Sequence, residues 1–402
     1  MNWRARLGRD HVAPVIAVAG TRGKTSVIRA VESIFAQANL RVATWTDRGV
    51  EIGGQRQRGE LGPWSRAMTR LTAGGLDVAL QEIDWATIQA VGVPGRAYPI
   101  IAVSNLCANN EACLLTPHMM MARKALARLR TSISDHGRLI LNADDFAIAD
   151  DVPGAADRVL IGMSPESPIL RRHLQNGGDA CWLEHGQITE QRDTVRTTIV
   201  AVSDLPWTRG GEIPFGVQNA LLAAAIGREC GLSYQVVASG LTQHDAAPGS
   251  VPGSFNVIAV GDSTVVIDVP AASWFLRNTI RAVQNLDSGR HIRIAGPMND
   301  IPDEDLMEIG RLLGRSGGVL IFHGLRDGDR FEQLRAGAAG NQVPPLVVQS
   351  VDERSAIQQG LGMLKPRDIM LVLAEEPAAA VRLVERQVHR SEQPSRRTPG
   401  AA

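Results

Sequence analysis

The chain has 402 residues, enough for two or three domains and too many for one ordinary core. Its 42 Lys and Arg balance 42 Asp and Glu, which excludes the basic footprint of a nucleic-acid binder. A hydrophobic fraction of 44% beside 21% charged residues is that of a globular protein.

Four cysteines, Cys107, Cys113, Cys181 and Cys230, form no C-x-x-C pair. Neither a zinc knuckle nor a disulfide framework is therefore expected, and reduced thiols are. The opening "MNWRARLGRDHVAPVIAVAG" has the basic start and apolar run of a secretory signal, but the run is short and flows into a motif that needs an intact strand before it. No segment approaches the ~20 apolar residues of a membrane span. The reading is a cytoplasmic chain with no membrane and no nucleic-acid partner.

In chain order, residues 15–19 read as a buried strand. Lys24 to Gln37 reads as a helix with Ile28, Val31, Ile34 and Phe35 on one face. Strands are predicted at 77–84 and 98–105. A helix is predicted over 117–133, with Pro117 in its first turn, and a strand over 138–145 ending in a carboxylate-rich loop. Strands alternating with helices imply a parallel sheet covered on both faces. Hairpins follow, the first centred on His185-Gly186, then a helix over 215–230.

"DAAPGSVPGS" (245–254) is dense in Pro, Gly and Ser and reads as a domain linker. Beyond it come two strands joined by Gly261-Asp262-Ser263, then "HIRIAG", "GVLIFHG", "PLVVQSV" and "DIMLVLAE" alternating with helical segments. The fold class expected is α/β: a P-loop parallel-sheet ATPase domain over residues 1–251, then a smaller Rossmann-like α/β lid domain over 252–387. The polar tail, 388–402, is expected to be disordered.

The chemistry-bearing stretch is Gly20-Thr21-Arg22-Gly23-Lys24-Thr25-Ser26. Glycines let the backbone turn its N–H groups inward around phosphate oxygens. Lys24 supplies a point charge for terminal phosphates, the Thr25 hydroxyl suits Mg²⁺, and the helix from Lys24 adds the positive end of its dipole. The eight-residue P-loop pattern would begin at position 18, which is Val18, so the match is to a shortened form opening at Gly20. The bland alternative is a strand-to-helix turn with an exposed lysine. The strand before and the amphipathic helix after favour nucleotide binding.

"GTRGKTS", "LNADD" (141–145), "PFGVQNALLAAA" (214–225), "PGSFN" (252–256) and "VVIDVP" (265–270) come in the order seen in Mur ligases. The chain most resembles the Mur-ligase-like C-terminal half of cyanophycin synthetase, from about residue 14 to about 387. The hairpin region "SPILRRHLQNGGDACWLEHGQI" (167–188) is also similar. The Arg of "GTRGK" is similar to that of poly-γ-glutamate synthase.

The resemblance implies an ATP- and Mg²⁺-dependent ligase that joins a carboxylate to an amine through an acyl phosphate. Lys24 and Thr25 match the phosphate lysine and the Mg²⁺ hydroxyl. Glu82 falls where the family places a Mg²⁺-binding glutamate, with a solvated strand end as its alternative. Lys124 falls where many members carry a lysine near a second metal, carbamylated in some, and is equally readable as a surface lysine. Asn219 matches an adenine-contacting asparagine and Asp268 a ribose-binding aspartate. Asp144 and Asp145 read as turn residues.

The chain also departs from the family. "CANNEA", with Asn109 and Asn110, stands where a metal-binding histidine is usual; Ser254 replaces an arginine and Ala271 a histidine. "GPMNDIPDED" (296–305) lacks two arginines, for which Arg326 and Arg330 are the nearby candidates.

Two readings follow. One is an ATP-dependent amide ligase acting on an amino acid or an acidic peptide. The other is a catalytically impaired nucleotide-binding protein serving as a partner or regulatory subunit, as a homo-oligomer or beside a partner ligase subunit. A P-loop kinase or GTPase is disfavoured, because the lid motifs have no place in it and no N-K-x-D guanine motif is present.

Overall fold

The protein is seen in a computed structural model that describes residues 13–57, 75–107, 113, 116–149, 158–245, 247–286, 289–325 and 328–392. It divides into two compact units, Met1–Asp245 and Ala246–Ala402. The division falls at the head of the Pro/Gly/Ser-rich stretch, not at 251. Asn256 shows why: its side chain accepts from the Gly253 N–H (2.6 Å) and donates to the Val251 carbonyl (2.9 Å), knitting that stretch into the second unit.

The first unit runs β1 (Val15–Ala19), α1 (Lys24–Gln37), β2 (Val42–Thr46), β3 (Gly49–Ile52), β4 (Gln55–Arg56), β5 (Val78–Ile83), α2 (Trp85–Val91), β6 (Tyr98–Val103), α3 (Pro117–Arg130), β7 (Ile133–Asn142), α4 (Phe146–Ala149), β8 (Arg158–Gly162), α5 (Pro168–Gln175), β9 (Asp179–Glu184), β10 (Gln187–Arg192), β11 (Val195–Ala201), α6 (Pro214–Glu229) and α7 (Tyr234–Thr242). Its sheet has the order β11-β10-β9-β8-β7-β6-β1-β5-β2-β3-β4. It is parallel from β2 to β9 and antiparallel at both edges.

β1 lies at the centre, between β5 and β6. All five of its residues are buried, as expected of a strand covered on both faces. Chain order reverses around it, so the crevice beyond the carboxyl ends of β1, β5 and β6 is where open α/β sheets bind ligands.

α1, α6 and α7 share one core with the sheet, including Ile16, Val18, Leu80, Ile100 and Ile140. α6 is apolar nearly all round and buried along most of its length, which explains why its sequence shows little amphipathic stripe. The hairpin at His185-Gly186 forms as the sequence predicts, both residues having positive φ. It is not a separate β layer, because β9 pairs in parallel with β8 and extends the same sheet. Partly buried ion pairs pin it there. Arg138 reaches Asp179 and Glu229, Arg192 reaches Glu229 and Glu190, and Arg228 reaches Glu190.

One expectation is overturned. Cys107 and Cys113 are joined by a disulfide, with Cα atoms 5.7 Å apart, while Cys181 and Cys230 are free and buried. That distance between Cys107 and Cys113 is within the ordinary bridging range. Their separation in sequence matches no motif and gives no warning of the bond.

The second unit runs β12 (Asn256–Val260), β13 (Ser263–Asp268), α8 (Ser273–Asn285), β14 (His291–Ala295), α9 (Asp303–Gly314), β15 (Val319–His323), α10 (Asp329–Ala339), β16 (Leu346–Ser350), α11 (Glu353–Met363), β17 (Ile369–Leu373) and α12 (Pro377–Glu392). The sheet order is β12-β13-β17-β14-β15-β16, parallel except for the β12–β13 hairpin. α12 passes the expected end at 387 and continues to Glu392. Val381, Val384 and Val388 form a stripe that packs on the core of this unit, so the burying face extends beyond 387.

Candidate functional site

The phosphate-loop geometry begins with backbone conformation. Gly23 caps α1 with φ 84°, a left-handed value that few side chains tolerate, and Gly20 has φ 150°. A Cβ at Gly20 would lie 2.0 Å from Ser104 Oγ; one at Gly23 would lie 2.5 Å from Asn219 Oδ1. The loop is thus held between the end of β6 and the first turns of α6.

The β6 end forms a cradle for the loop. Ser104 N–H donates to the Ala19 carbonyl (2.9 Å), and Ser104 Oγ donates to the Arg22 carbonyl (2.8 Å). The Asn105 amide donates to the Arg22 carbonyl and accepts the Arg22 N–H, both at 3.0 Å. Thr21 N–H donates to the Asn105 carbonyl (3.0 Å), and Thr21 Oγ1 donates to the Leu106 carbonyl (3.1 Å) while accepting from Trp85 Nε1 (3.2 Å). Thr21 therefore spends its side chain on holding the loop. Ser26 lies in the first turn of α1.

Below the cradle, Asp145 Oδ2 accepts the N–H groups of Leu106 (2.6 Å) and Cys107 (2.8 Å), and the Asn142 amide donates to the Ser104 carbonyl (2.9 Å). Asp144 accepts the Met163 N–H (2.7 Å). Burial raises the Asp144 carboxyl above its ordinary range, opposed by the Met163 and Gln218 hydrogen bonds. Both aspartates are turn and bracing residues, as the sequence suggests. The cradle residues Ser104 and Asn105 escape sequence reasoning. Their signal is a polar Ser-Asn pair closing an apolar strand.

Glu82 comes to the loop by strand register. It pairs with Val18 across β5 and β1, one residue short of the end of β1. Thr25 Oγ1 donates to Glu82 Oε2 (2.8 Å), and Lys24 Nζ lies 3.5 Å from Glu82 Oε1. Burial pushes the Glu82 carboxyl up, while Lys24 and then Thr25 pull it back. Thr25 and Glu82 offer the hard oxygen donors that Mg²⁺ takes, and an ion there would offset the burial of the carboxylate. Among the described residues no group of three or more His, Cys, Asp or Glu gathers into a metal set. That suits an ion whose other ligands come from phosphate and water.

The other predicted residues are more scattered. Asn219 packs on Gly23. Lys124 is exposed on α3, and among the described residues no ion pair joins it to Glu82. Asp268 ends β13 in the second unit and is 3% exposed. Its Oδ1 accepts the Val269 N–H (2.9 Å) and its Oδ2 accepts from Thr279 Oγ1 (2.7 Å). Arg330 donates to the carbonyls of Pro297, Met298 and Ile301 and pairs with Asp303, so its guanidinium braces a loop of its own unit. Asn109, Asn110 and Arg326 lie outside the described residues. No helix among the described residues is long and apolar enough to cross a membrane.

No protein-family profile matches the chain. It is 26% identical over 383 residues to the cyanophycin synthetase of Trichormus variabilis, a match covering 92% of this chain and 42% of that protein. The chain thus spans less than half the length of that relative. It is 24% identical to UDP-N-acetylmuramate–L-alanine ligase of Bordetella petrii, over 89% of this chain and 74% of that one. Among solved structures, a pseudomurein peptide ligase type C from Methanothermus fervidus superposes with a TM-score of 0.64 at 16% identity, covering 98% of this chain and 81% of that one. Escherichia coli FolC in complex with ADP gives 0.61 at 17% identity, over 97% and 93%. The fold is that of the Mur-type ligases, and the likeness in sequence to cyanophycin synthetase runs through nearly the whole chain.

Proposed function

We propose that the protein is an ATP-dependent ligase joining a carboxylate to an amine, with an amino acid or an acidic peptide among its substrates. The observation that carries this reading is the convergence of Lys24, Thr25 and Glu82 at the crevice beyond β1 and β5, on a loop whose glycines admit no side chain. The ATP phosphates take the loop N–H groups and the N-terminus of α1. Lys24 exchanges Glu82 for phosphate oxygens. Thr25 and Glu82 would hold Mg²⁺, which supplies charge neutralisation when bound.

The substrate carboxylate oxygen then attacks the γ-phosphorus and ADP leaves. The amine attacks the acyl phosphate, losing a proton as phosphate departs. Asn219, beside Gly23, belongs to the nucleotide pocket in this reading. Lys124 is given a catalytic role and Asp268 a ribose contact, with the second unit acting as a lid. The test is phosphate release from Mg-ATP against a panel of amino acids and acidic peptides, with Lys24→Ala as control. Substrate-dependent release lost in the control supports the reading.

A second reading, a nucleotide-binding partner or regulatory subunit with little turnover of its own, is favoured by the missing cations. Ser254 and Ala271 replace charged or metal-binding groups of the family, and Arg330 is committed to internal carbonyls. Losing one preorganised charge-stabilising donor costs about a hundredfold or more in rate. Nucleotide binding with no turnover against the whole panel would select this reading.

A further inference from the structure

We propose that the Cys107–Cys113 disulfide is a redox latch on the phosphate loop: closed, it holds the cradle that supports the loop; opened by a dithiol reductant, it weakens nucleotide binding. The proposal rests on the nucleotide site proposed above and concerns its regulation.

The bond ties two anchors together. Cys107 directly follows the cradle residues Ser104, Asn105 and Leu106, and its own N–H is held by Asp145. Through the Asn105 and Leu106 carbonyls the cradle grips Thr21, and through the Asn105 side chain it grips Arg22. On the other side, the Cys113 carbonyl accepts both the N–H (3.1 Å) and the hydroxyl (2.8 Å) of Thr116. Thr116 caps α3 through Met119 N–H. The disulfide therefore links the start of α3 to the turn that holds the phosphate loop.

Only five residues separate the two cysteines, in the stretch where the family resemblance places a metal-binding histidine. Opening the bond releases the cradle flank at Cys107 and the α3 flank at Cys113 from one another. Flanks that sample more states cradle the loop for less of the time. No other thiol competes. Cys181 and Cys230 are free and buried, and burial raises their thiols far above the reactive range; Cys107 and Cys113 are each 1% exposed, so a reductant reaches their bond only when its flanks open locally.

The chemistry balances as thiol–disulfide exchange. A reductant thiolate attacks one sulfur, the Cys107–Cys113 bond breaks, and the displaced thiolate takes a proton. The reductant's second thiol resolves the mixed disulfide and frees the other cysteine. Two electrons reach the pair, and the reductant leaves oxidised. Coupling between bound ligand and bond state is reciprocal, so bound nucleotide protects the bond from reduction.

The test uses the whole chain purified without reductant. After denaturing alkylation, mass spectrometry should show Cys107 and Cys113 blocked from the alkylating agent until dithiothreitol is added. Calorimetry with Mg-ADP should show binding at least about fivefold weaker after reduction, the lower end of ordinary site-to-site coupling. Cys113→Ser should bind like the reduced protein whether or not dithiothreitol is present; Cys181→Ser should keep the redox response. Hydrogen exchange at residues 20–22 and 104–107, measured without nucleotide, should quicken on reduction. Equal affinity and equal exchange in both redox states would overturn the latch and leave the nucleotide reading standing. No binding in either state would overturn both. Free thiols at both positions after incubation with oxidised glutathione would overturn the latch alone.

Discussion

The two units treat the carboxyl ends of their parallel strands differently. In the first, the groups at that edge face one another across a shared gap: Lys24 and Thr25 meet Glu82, and the loop backbone is held from behind by Ser104 and Asn105. In the second, the corresponding groups are turned inward. Asp268 accepts from Val269 and Thr279, and Arg330 donates to three carbonyls and pairs with Asp303. One edge holds a buried carboxylate beside a lysine and a hydroxyl. At the other, Asp268 and Arg330 are engaged by groups of their own unit. A parallel sheet offers such an edge in both units, and the two differ in which polar groups gather there.

Four experiments would break or sharpen this contrast. The largest effect is expected from Gly20→Ala. A Cβ 2.0 Å from Ser104 Oγ, on a glycine-favouring φ, should cost about 3 kcal/mol in chemical denaturation. It should abolish Mg-ADP binding as well. A variant of native stability and affinity would show that the loop is not gripped by the β6 end.

Lys24→Ala should leave the denaturation midpoint nearly unchanged and weaken Mg-ATP binding by about a hundredfold, as expected when one partner of a partly buried charge contact is lost. Unchanged affinity in calorimetry would remove the phosphate role of the first unit.

Asp268→Asn separates support from ligand contact in the second unit. Loss of a charge-assisted acceptor for Thr279 should lower the unfolding free energy by about 1–2 kcal/mol. If nucleotide affinity falls while stability holds, the second edge takes part in binding and the contrast between the units fails.

The smallest effect is a pH dependence. The folded-state value of Glu82 is raised by burial, so the folded protein holds its proton where the unfolded chain has released it. Stability should therefore fall slightly as pH rises from the ordinary glutamate value through the raised one. Glu82→Gln should flatten that slope, and Mg-ADP should offset it in the wild type only. A slope identical in both proteins would show that the raised carboxyl is not Glu82.

Much of this was legible in sequence because it is local. The apolar run 15–19, the Gly-bracketed turn and the stripe of Ile28, Val31, Ile34 and Phe35 specify β1, the loop and α1 with matching bounds. The hairpin at His185-Gly186 followed from turn chemistry. The short helices α2, α5 and α7 were missed. They span 7, 8 and 9 residues, too few for a periodic stripe to stand out. Glu82 stands out in the sequence only through the family resemblance of its strand; nothing in "VALQEID" itself says which neighbour it meets.

The sequence by itself determined β1, α1 and the alternation of strands with the longer helices, the glycines of the turn between β1 and α1, and the lysine and threonine at its end. These depend on neighbours within a few residues, where backbone sterics and side-chain period act directly. Tertiary structure alone decided the rest. It placed Glu82 against Lys24 and Thr25, wedged Ser104 and Asn105 behind the loop, joined β9 to β8, and brought Cys107 to Cys113. Apart from the cysteine pair, each of these contacts joins residues far apart in the chain, and those are settled by how whole elements bury their apolar faces against one another.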